Sequence, residues 1–244
     1  SFDSHGRTVH KVVRLEAITP PMRGEYVVPD AVNRKALTET LEAFRKRACG
    51  TKFPATPQSW AWTAVRSESD TTLSFTVTDA RGRDAERTRR NATRRILSND
   101  ESAEFIEKGQ EYSMGTEESL VYRAMYALRW LLLADEDVWD RANARHAGAD
   151  ALIDIDESGH VTRRRLLESV TAQLADDVTL RVGFELDTHL PARVLVRDEP
   201  TQIEVEIELD DYRDTGGFTW PHKITVRSPK LRYDETMSDL RIEW

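Results

Sequence analysis

Short alternating runs make up the second half of this chain, and turn signals separate them every 8 to 15 residues. In "IEVEIEL" the apolar residues all fall on one side of the alternation: Ile203, Val205, Ile207 and Leu209. Successive side chains of a β-strand point to opposite faces, so each run predicts a strand with one buried face. Because the connections are too short for crossover helices, the pattern predicts antiparallel strands in meander order.

Two earlier runs show the same alternation. One face of "SWAWTAVRS" carries Trp60, Trp62 and Ala64, and one face of "TTLSFTVTD" carries Leu73, Phe75 and Val77. "AEFIEKGQEYSM" predicts a short hairpin around Lys108-Gly109. Together these runs predict about ten strands.

Two amphipathic helices interrupt the strands. The first is predicted over residues 33–48, where Asp30 or Asn33 supplies the N-cap and Gly50 ends the helix. Thr116 can cap the second, whose apolar stripe is Leu120, Val121, Ala124, Met125, Leu128, Leu131 and Leu132. This stripe predicts packing on a sheet, and helical spacing alone does not decide whether it also lines an apolar cavity.

A third helix, more polar than the others, is predicted from Glu136 to Ala147, with its end at Gly148. It follows the longest apolar run of the chain, residues 124–134. That run is broken by Arg129 and is shorter than the ~20 residues that a bilayer requires, so we predict no transmembrane segment in this chain.

The composition narrows the classes of protein further. The chain has 244 residues, enough for one large domain, and a net charge of -8. An acidic balance disfavours nucleic-acid binding, because phosphates would be repelled. Cys49 is the only cysteine, so an intrachain disulfide is excluded. Residues 1–20 contain no secretory signal, and we expect Ser1 to be a processed or artificial start.

No motif in the sequence predicts chemistry. "DIDESGHV", from Asp154, begins like a calcium loop, but Arg165 stands where the loop needs a bidentate Glu, so a hairpin turn is favoured. The six histidines lack zinc spacing, and no nucleophile elbow, P-loop or dinucleotide fingerprint is present. We therefore predict no catalytic residue, no metal and no cofactor.

The dense basic stretch from Arg81 to Arg95 predicts the solvated face and turn of an exposed hairpin. Contact with an anionic surface or a protein partner is the alternative.

Three segments carry a resemblance to a known family: "FELDTHLPARV" (184–194), "DDYRDTGGFTWPHKI" (210–224) and "RRILSNDESAEFIEKGQEYSM" (94–114). Their order and spacing resemble the outer-membrane lipoprotein carrier and lipoprotein-sorting (LolA-like) superfamily. The resemblance implies an α+β fold, in which a strongly curved antiparallel sheet forms an open half-barrel and helices cover its concave face. It covers roughly residues 33–244.

The same resemblance implies a function without enzymatic chemistry. Members hold lipid or lipoprotein acyl chains between sheet and helices in the periplasm or another extracytoplasmic space. We therefore expect carriage or sensing of a hydrophobic ligand in the bacterial envelope, with an envelope protein as a further possible partner. The alternative is a protein-protein interaction module on the same fold with a filled cavity.

The residues expected to line the cavity come from the second helix and from several strands. The sequence does not show which face of each strand points inward. The expected lining residues are Trp60, Trp62, Phe75, Leu120, Ala124, Leu128, Leu131, Leu132, Phe184 and Phe218.

The N-terminal segment departs from the family pattern. Residues 1–30 resemble the family's closing strand, yet they precede the first helix. We expect this segment either to complete the sheet, with residues 8–16 beside the C-terminal strand, or to end a preceding module. Residues 31–244 then form the half-barrel domain.

Overall fold

The fold is described by a computed structural model that covers residues 30–50, 58–67, 72–80, 85–89, 92–98, 103–107, 110–132, 136–156, 158–175 and 177–244. Its helices are α1 (Asp30–Cys49), α2 (Thr116–Leu131) and α3 (Glu136–Arg141). Its strands are β1 (Ser59–Ser67), β2 (Thr72–Ala80), β3 (Ala85–Arg89), β4 (Ala92–Ser98), β5 (Ala103–Glu107), β6 (Gln110–Ser113), β7 (Arg145–Ile155), β8 (Val161–Ala175), β9 (Val178–Glu185), β10 (Pro191–Asp198), β11 (Ile203–Asp214), β12 (Thr219–Arg227) and β13 (Arg232–Glu243).

All of these strands join one antiparallel sheet in the order β6-β5-β4-β3-β2-β1-β13-β12-β11-β10-β9-β8-β7. The described part of the chain therefore has thirteen strands, against about ten predicted. Two meanders, β1 to β6 and β7 to β13, meet where β1 pairs with β13. The sheet is open, since its end strands β6 and β7 are not neighbours. The predicted curved half-barrel with antiparallel strands is confirmed.

The alternation read from the sequence becomes a buried face in the structure. Along β1 every second side chain is buried: Trp60, Trp62, Ala64 and Arg66. Along β11 the buried side chains are Val205, Ile207 and Leu209. These faces meet the helices in one hydrophobic core, which also includes Phe44 of α1 and Leu128 of α2.

The two longer helices cover the inner face of the sheet. Helix α2 packs against β4 and β5 on one side and against β10 and β11 on the other, so the sheet wraps around it. Helix α1 packs against β7 and β12. Gly50 ends α1 as predicted, with φ of 69° and its N–H donating to the carbonyl of Lys46 at 3.0 Å.

Two helix predictions were wrong at their ends. The third helix stops at Arg141, and residues 145–147, assigned to it from sequence, begin strand β7. Asn143 has a φ of 47°, which ends the helical path, and the Asn33 side chain exchanges two hydrogen bonds with the backbone of His146. Helix α2 has Gly115 at its N-cap, without a side-chain hydrogen bond, so Thr116 is its first residue rather than its cap.

The hairpin turn predicted in the segment that starts at Asp154 is confirmed. In the β7–β8 hairpin the Asp156 carboxylate accepts hydrogen bonds from the backbone N–H groups of Ser158 and His160, each at 2.9 Å. Hydrogen bonds from Ser158 and His160 hold the pKa of Asp156 below its usual value. Gly216 and Gly217 have φ of 65° and 90° in the turn between β11 and β12.

Some predictions fall outside the described residues. These include the strand at residues 8–16 and the turn at 81–84. Within the basic stretch, β3 and β4 do form an antiparallel pair. Along Asp234–Thr236, strand β13 is paired on both sides, with β1 on one side and with β12 on the other.

Candidate ligand-binding site

An apolar groove lies between α2 and the three strands β1, β12 and β13. Its cavity volume is about 30 Å³, and it opens to solvent. The lining residues are Trp60, Trp62, Arg66, Val121, Tyr122, Met125, Arg129, Trp220, Ile224, Tyr233, Glu235, Met237 and Leu240. Large aromatic and thioether side chains dominate this set, as in sites that bind ligands by apolar contact.

Two of the lining residues, Trp60 and Trp220, belong to a cluster of aromatic rings. The ring of Trp60 lies 4.9 Å from Trp220 and 5.8 Å from Phe218, centroid to centroid. Phe218 stacks on Trp220 with ring centroids 5.6 Å apart, and the ring of Trp244 lies edge-on to that of Phe218 at 5.6 Å. Offset and edge-on rings at these distances attract each other, so the cluster stabilises the positions of Trp60 and Trp220.

A buried ion pair stands in this apolar setting. Arg66 Nε lies 3.1 Å from Glu235 Oε2, and the Arg66 guanidinium lies 3.8 Å above the ring of Tyr233. Burial lowers the pKa of Arg66, but Tyr233, Tyr122 and Glu235 outweigh it, so the pKa lies above its usual value. Arg66 therefore stays charged, and the Glu235 carboxyl group beside it is the partner that compensates this charge.

A second guanidinium comes from the helix side of the groove. Arg129 lies in the last turn of α2, with its guanidinium 5.4 Å from the ring centroid of Trp62. It is 6% exposed. The groove is thus lined by two arginines and one glutamate, in addition to its apolar residues.

The sequence predictions meet the groove only in part. Trp60 and Trp62 line it. Leu120, Ala124, Leu128, Leu132, Phe184 and Phe218 are buried in the surrounding core. Phe184 packs against Phe44 of α1 at 5.8 Å, away from α2. Leu131 lies in α2 and Phe75 in β2, and their side chains are outside the described part of the structure.

Several lining residues were missed from the sequence. Arg66 follows Trp60, Trp62 and Ala64 at period two, so the alternation of β1 already placed it on the buried face. Met125 belongs to the stripe of α2. Tyr233 and Met237 follow from the alternation of β13 only once the inward face of that strand is known.

A wider but polar depression of about 320 Å³ lies at the start of α1. It is lined by Asn33, Arg34, Leu37, Asp140, Asn143, Ala144 and Arg145. Arg34 and Asp140 form an exposed ion pair across it, with Nη2 to Oδ1 at 3.3 Å. Its lining does not suit an acyl chain, so the apolar groove is the better candidate.

The described residues contain neither a membrane-spanning helix nor a cluster of metal ligands. None of their helices is long and apolar enough to cross a membrane. Across the same residues, no three His, Cys, Asp or Glu side chains lie close enough together to hold a metal ion.

No protein-family model and no curated protein matches this sequence. Among solved structures the chain is similar to a putative outer membrane lipoprotein-sorting protein domain from Vibrio parahaemolyticus, with 9% identity, 88% of this chain and 93% of that chain covered, and a TM-score of 0.49. It is similar to a LolA superfamily protein from Nitrosomonas europaea, with 8% identity, 84% and 94% covered, and a TM-score of 0.48. A DUF1329 family protein from Desulfovibrio piger matches with 12% identity, 85% and 92% covered, and a TM-score of 0.46.

The sheet order and the position of the helices settle the architecture. One antiparallel sheet, open between β6 and β7, wraps around α2 and carries α1 on the same inner face. This is the arrangement that the resemblance in the sequence implied. The chain has an α+β fold, an open antiparallel half-barrel with helices on its inner face.

Proposed function

We propose that this protein binds and carries, or senses, a lipid or lipoprotein acyl chain in the bacterial cell envelope, without enzymatic chemistry. The supporting observation is the apolar groove beneath α2, with Trp60, Trp62 and Trp220 in its lining. Each methylene that enters such a site is worth about 0.8 kcal/mol. A periplasmic or other extracytoplasmic location is part of the proposal.

Ligand entry requires α2 to move. The enclosed volume is about 30 Å³, whereas ligand sites have ~300 Å³ or more. The described form is therefore a closed one. Met125 is the residue of α2 best suited to yield, since its unbranched thioether side chain adopts many shapes at low cost. We propose that outward displacement of α2 joins the enclosed space to the open mouth.

The small enclosed volume also favours a second candidate, the interaction module with a filled core. In that case α2 stays in place, and a protein partner in the envelope binds elsewhere on the surface. The antiparallel pair β3 and β4, which carries the basic stretch, is the surface proposed for this role.

Native mass spectrometry of the protein purified from a bacterial envelope distinguishes the two candidates. Acyl carriage predicts a bound species of lipid mass that organic extraction removes. Titration of the extracted protein with palmitic acid should then change tryptophan fluorescence, because three tryptophans line the groove. A protein that carries no adduct and does not respond to palmitic acid supports the interaction module.

A bulky substitution inside the groove, paired with a similar substitution on the surface, tests the site. Met125→Trp adds bulk to a residue that lines the groove and is 7% exposed, whereas Val32→Trp adds a similar bulk on α1 at a position that is 57% exposed. Acyl carriage predicts that only Met125→Trp weakens palmitic acid binding. Equal binding by both variants, with both folded by circular dichroism, would contradict the proposed site.

A further inference from the structure

We infer that the groove selects an acyl chain together with its carbonyl group, and that the indole N–H of Trp62 donates a hydrogen bond to the carbonyl oxygen; the inference rests on the proposed function. Trp62 lines the groove and is 6% exposed. Within the described part of the structure, its Nε1 atom is buried and meets no hydrogen-bond acceptor. Because an indole N–H only donates, an acceptor is the group that it needs.

A buried donor without an acceptor is unfavourable, and nearly all buried polar groups in folded proteins are paired. The closed form of the groove leaves the Trp62 N–H in this state. A ligand that brings an acceptor relieves it on binding. A pure hydrocarbon expels water from the groove and leaves the donor unmet. The groove should therefore discriminate between ligands of equal length by the presence of an acceptor.

The contact that α2 makes with Trp62 leaves this need unmet. The guanidinium of Arg129 lies 5.4 Å from the centroid of the Trp62 ring. A cation in this position interacts with the negative face of the indole, whereas the N–H lies at the ring edge. A guanidinium also carries donors only, so it cannot accept from the indole. When α2 moves outward, as the proposed function requires, Trp62 is uncovered towards an entering ligand.

An acyl carbonyl supplies the acceptor in suitable surroundings. Its oxygen accepts hydrogen bonds, and the attached hydrocarbon chain suits the aromatic and thioether side chains of the lining. Trp62 lies beside Arg129, in the last turn of α2, and Val121 lines the groove about two turns earlier in the helix. The carbonyl should therefore lie near the C-terminal end of α2, with the chain extending towards Val121.

A competition between methyl palmitate and octadecane tests the inference, because the two have equal chain lengths and only the ester has a carbonyl. The delipidated protein is incubated with both in the same detergent micelles, and the bound ligands are quantified by gas chromatography. Trp62→Phe removes the N–H and keeps an aromatic ring. Trp220→Phe is the matched control, since it changes another tryptophan of the same lining.

The ratio of bound ester to bound octadecane should fall about fivefold or more in Trp62→Phe and stay within about twofold of wild type in Trp220→Phe. An unchanged ratio in Trp62→Phe overturns the inference and leaves the proposed function standing. A wild type that takes up neither ligand overturns the proposed function as well. N-methylpalmitamide in place of the ester separates the two sources of an acyl carbonyl: the linkage with the larger Trp62-dependent preference is the one the groove selects, and either supports the inference.

Proton NMR of the indole N–H groups gives a second readout, which a merely structural role of Trp62 would not produce. The chain has six tryptophans, so few signals have to be resolved. Methyl palmitate should move one indole N–H signal downfield, octadecane should not, and Trp62→Phe should lack that signal. If Trp62→Phe does not fold, the absence of any ester-specific downfield shift in wild type overturns the inference.

Discussion

Glu117 ties the first turn of α2 to the turn between β12 and β13. Its Oε2 accepts a hydrogen bond from the backbone N–H of Lys230 at 2.9 Å and another from the hydroxyl of Ser228. Ser228 Oγ in turn accepts from the N–H of Leu231 at 2.9 Å, which braces the turn. Helix α2 forms one wall of the groove, so this attachment fixes one end of that wall to the sheet.

Glu117→Gln should loosen that attachment. The amide oxygen can still accept both bonds but lacks the negative charge, and hydrogen bonds to a charged acceptor are worth about 1.5–3 kcal/mol against about 0.5–1.5 kcal/mol for neutral ones. We expect the free energy of unfolding in urea to fall by about 1–2 kcal/mol. Palmitic acid should also bind faster in stopped-flow fluorescence. Glu118→Gln, one residue along the same turn, is the control, and equal effects of the two substitutions would contradict the anchoring role.

The buried pair of Arg66 and Glu235 gives a second prediction. Removing one partner leaves the other charged and buried, so Arg66→Met or Glu235→Met should each cost about 3–5 kcal/mol in unfolding free energy. Arg66→Met combined with Glu235→Met should cost much less than the sum, because apolar groups replace both charges. Urea unfolding of the four proteins completes the cycle. Additive costs would show that the two residues do not act as a pair.

The pair also shows where reasoning from sequence stops. Period-two alternation correctly placed Trp60 and Trp62 on a buried face, and the same pattern extended to Arg66. It carries no information on which strand lies next to β1. The register that places Arg66 opposite Glu235 joins residues 169 positions apart. Local pattern specifies the face of a strand, whereas the partner strand follows from the closure of the whole core.

Only part of the lining of the candidate site could be predicted from the sequence. Trp60 and Trp62 were identified, since both are large apolar residues on an alternating strand. Phe184 has the same sequence character, yet it packs under α1 against Phe44. The difference lies in the positions of the two helices over the sheet, which depend on contacts between distant segments. Helical spacing in α2 predicted a buried stripe and left open which of its residues face a groove.

Cys49 provides a pH-dependent test of the core beneath α1. Burial raises the pKa of its thiol to about 11, although Arg45 lowers it somewhat, against an ordinary value of 9.0. Between these values the unfolded chain loses the thiol proton and the native protein keeps it, so stability falls as pH rises from about 9 to about 11. The unfolding free energy of Cys49→Ala should lack this component.

Thiol labelling checks the same shift. In the native protein the reaction with a disulfide reagent should be slow at pH 8 and should accelerate as pH approaches 11, because the thiolate is the nucleophile. In urea the pH profile should return to that of an ordinary cysteine. Cys49 is the only cysteine, so the signal needs no assignment. Native labelling at the denatured rate would contradict the raised pKa.

Gly183 and Leu167 give a prediction for a part of the sheet outside the groove. A Cβ built on Gly183 of β9 would lie 2.8 Å from Leu167 Cδ1, closer than atoms normally approach. Leu167 is fully buried in a small cluster with Leu152 and Ala192, so it has little room to move. Gly183→Ala should therefore cost about 1–3 kcal/mol in unfolding free energy.

A compensating variant and a control test whether the close contact with Leu167 causes the loss of stability in Gly183→Ala. Leu167→Ala alone should cost about 2–5 kcal/mol, because it leaves a cavity, and adding Gly183→Ala to it should cost little more, since the colliding atom is gone. Gly115→Ala is the control for the glycine substitution itself: a Cβ there meets nothing within 4 Å. It should change stability little, because the narrower unfolded ensemble of alanine is offset by its weaker fit at the N-cap of α2. If Gly183→Ala costs as much in the Leu167→Ala background as in wild type, the collision is not the cause.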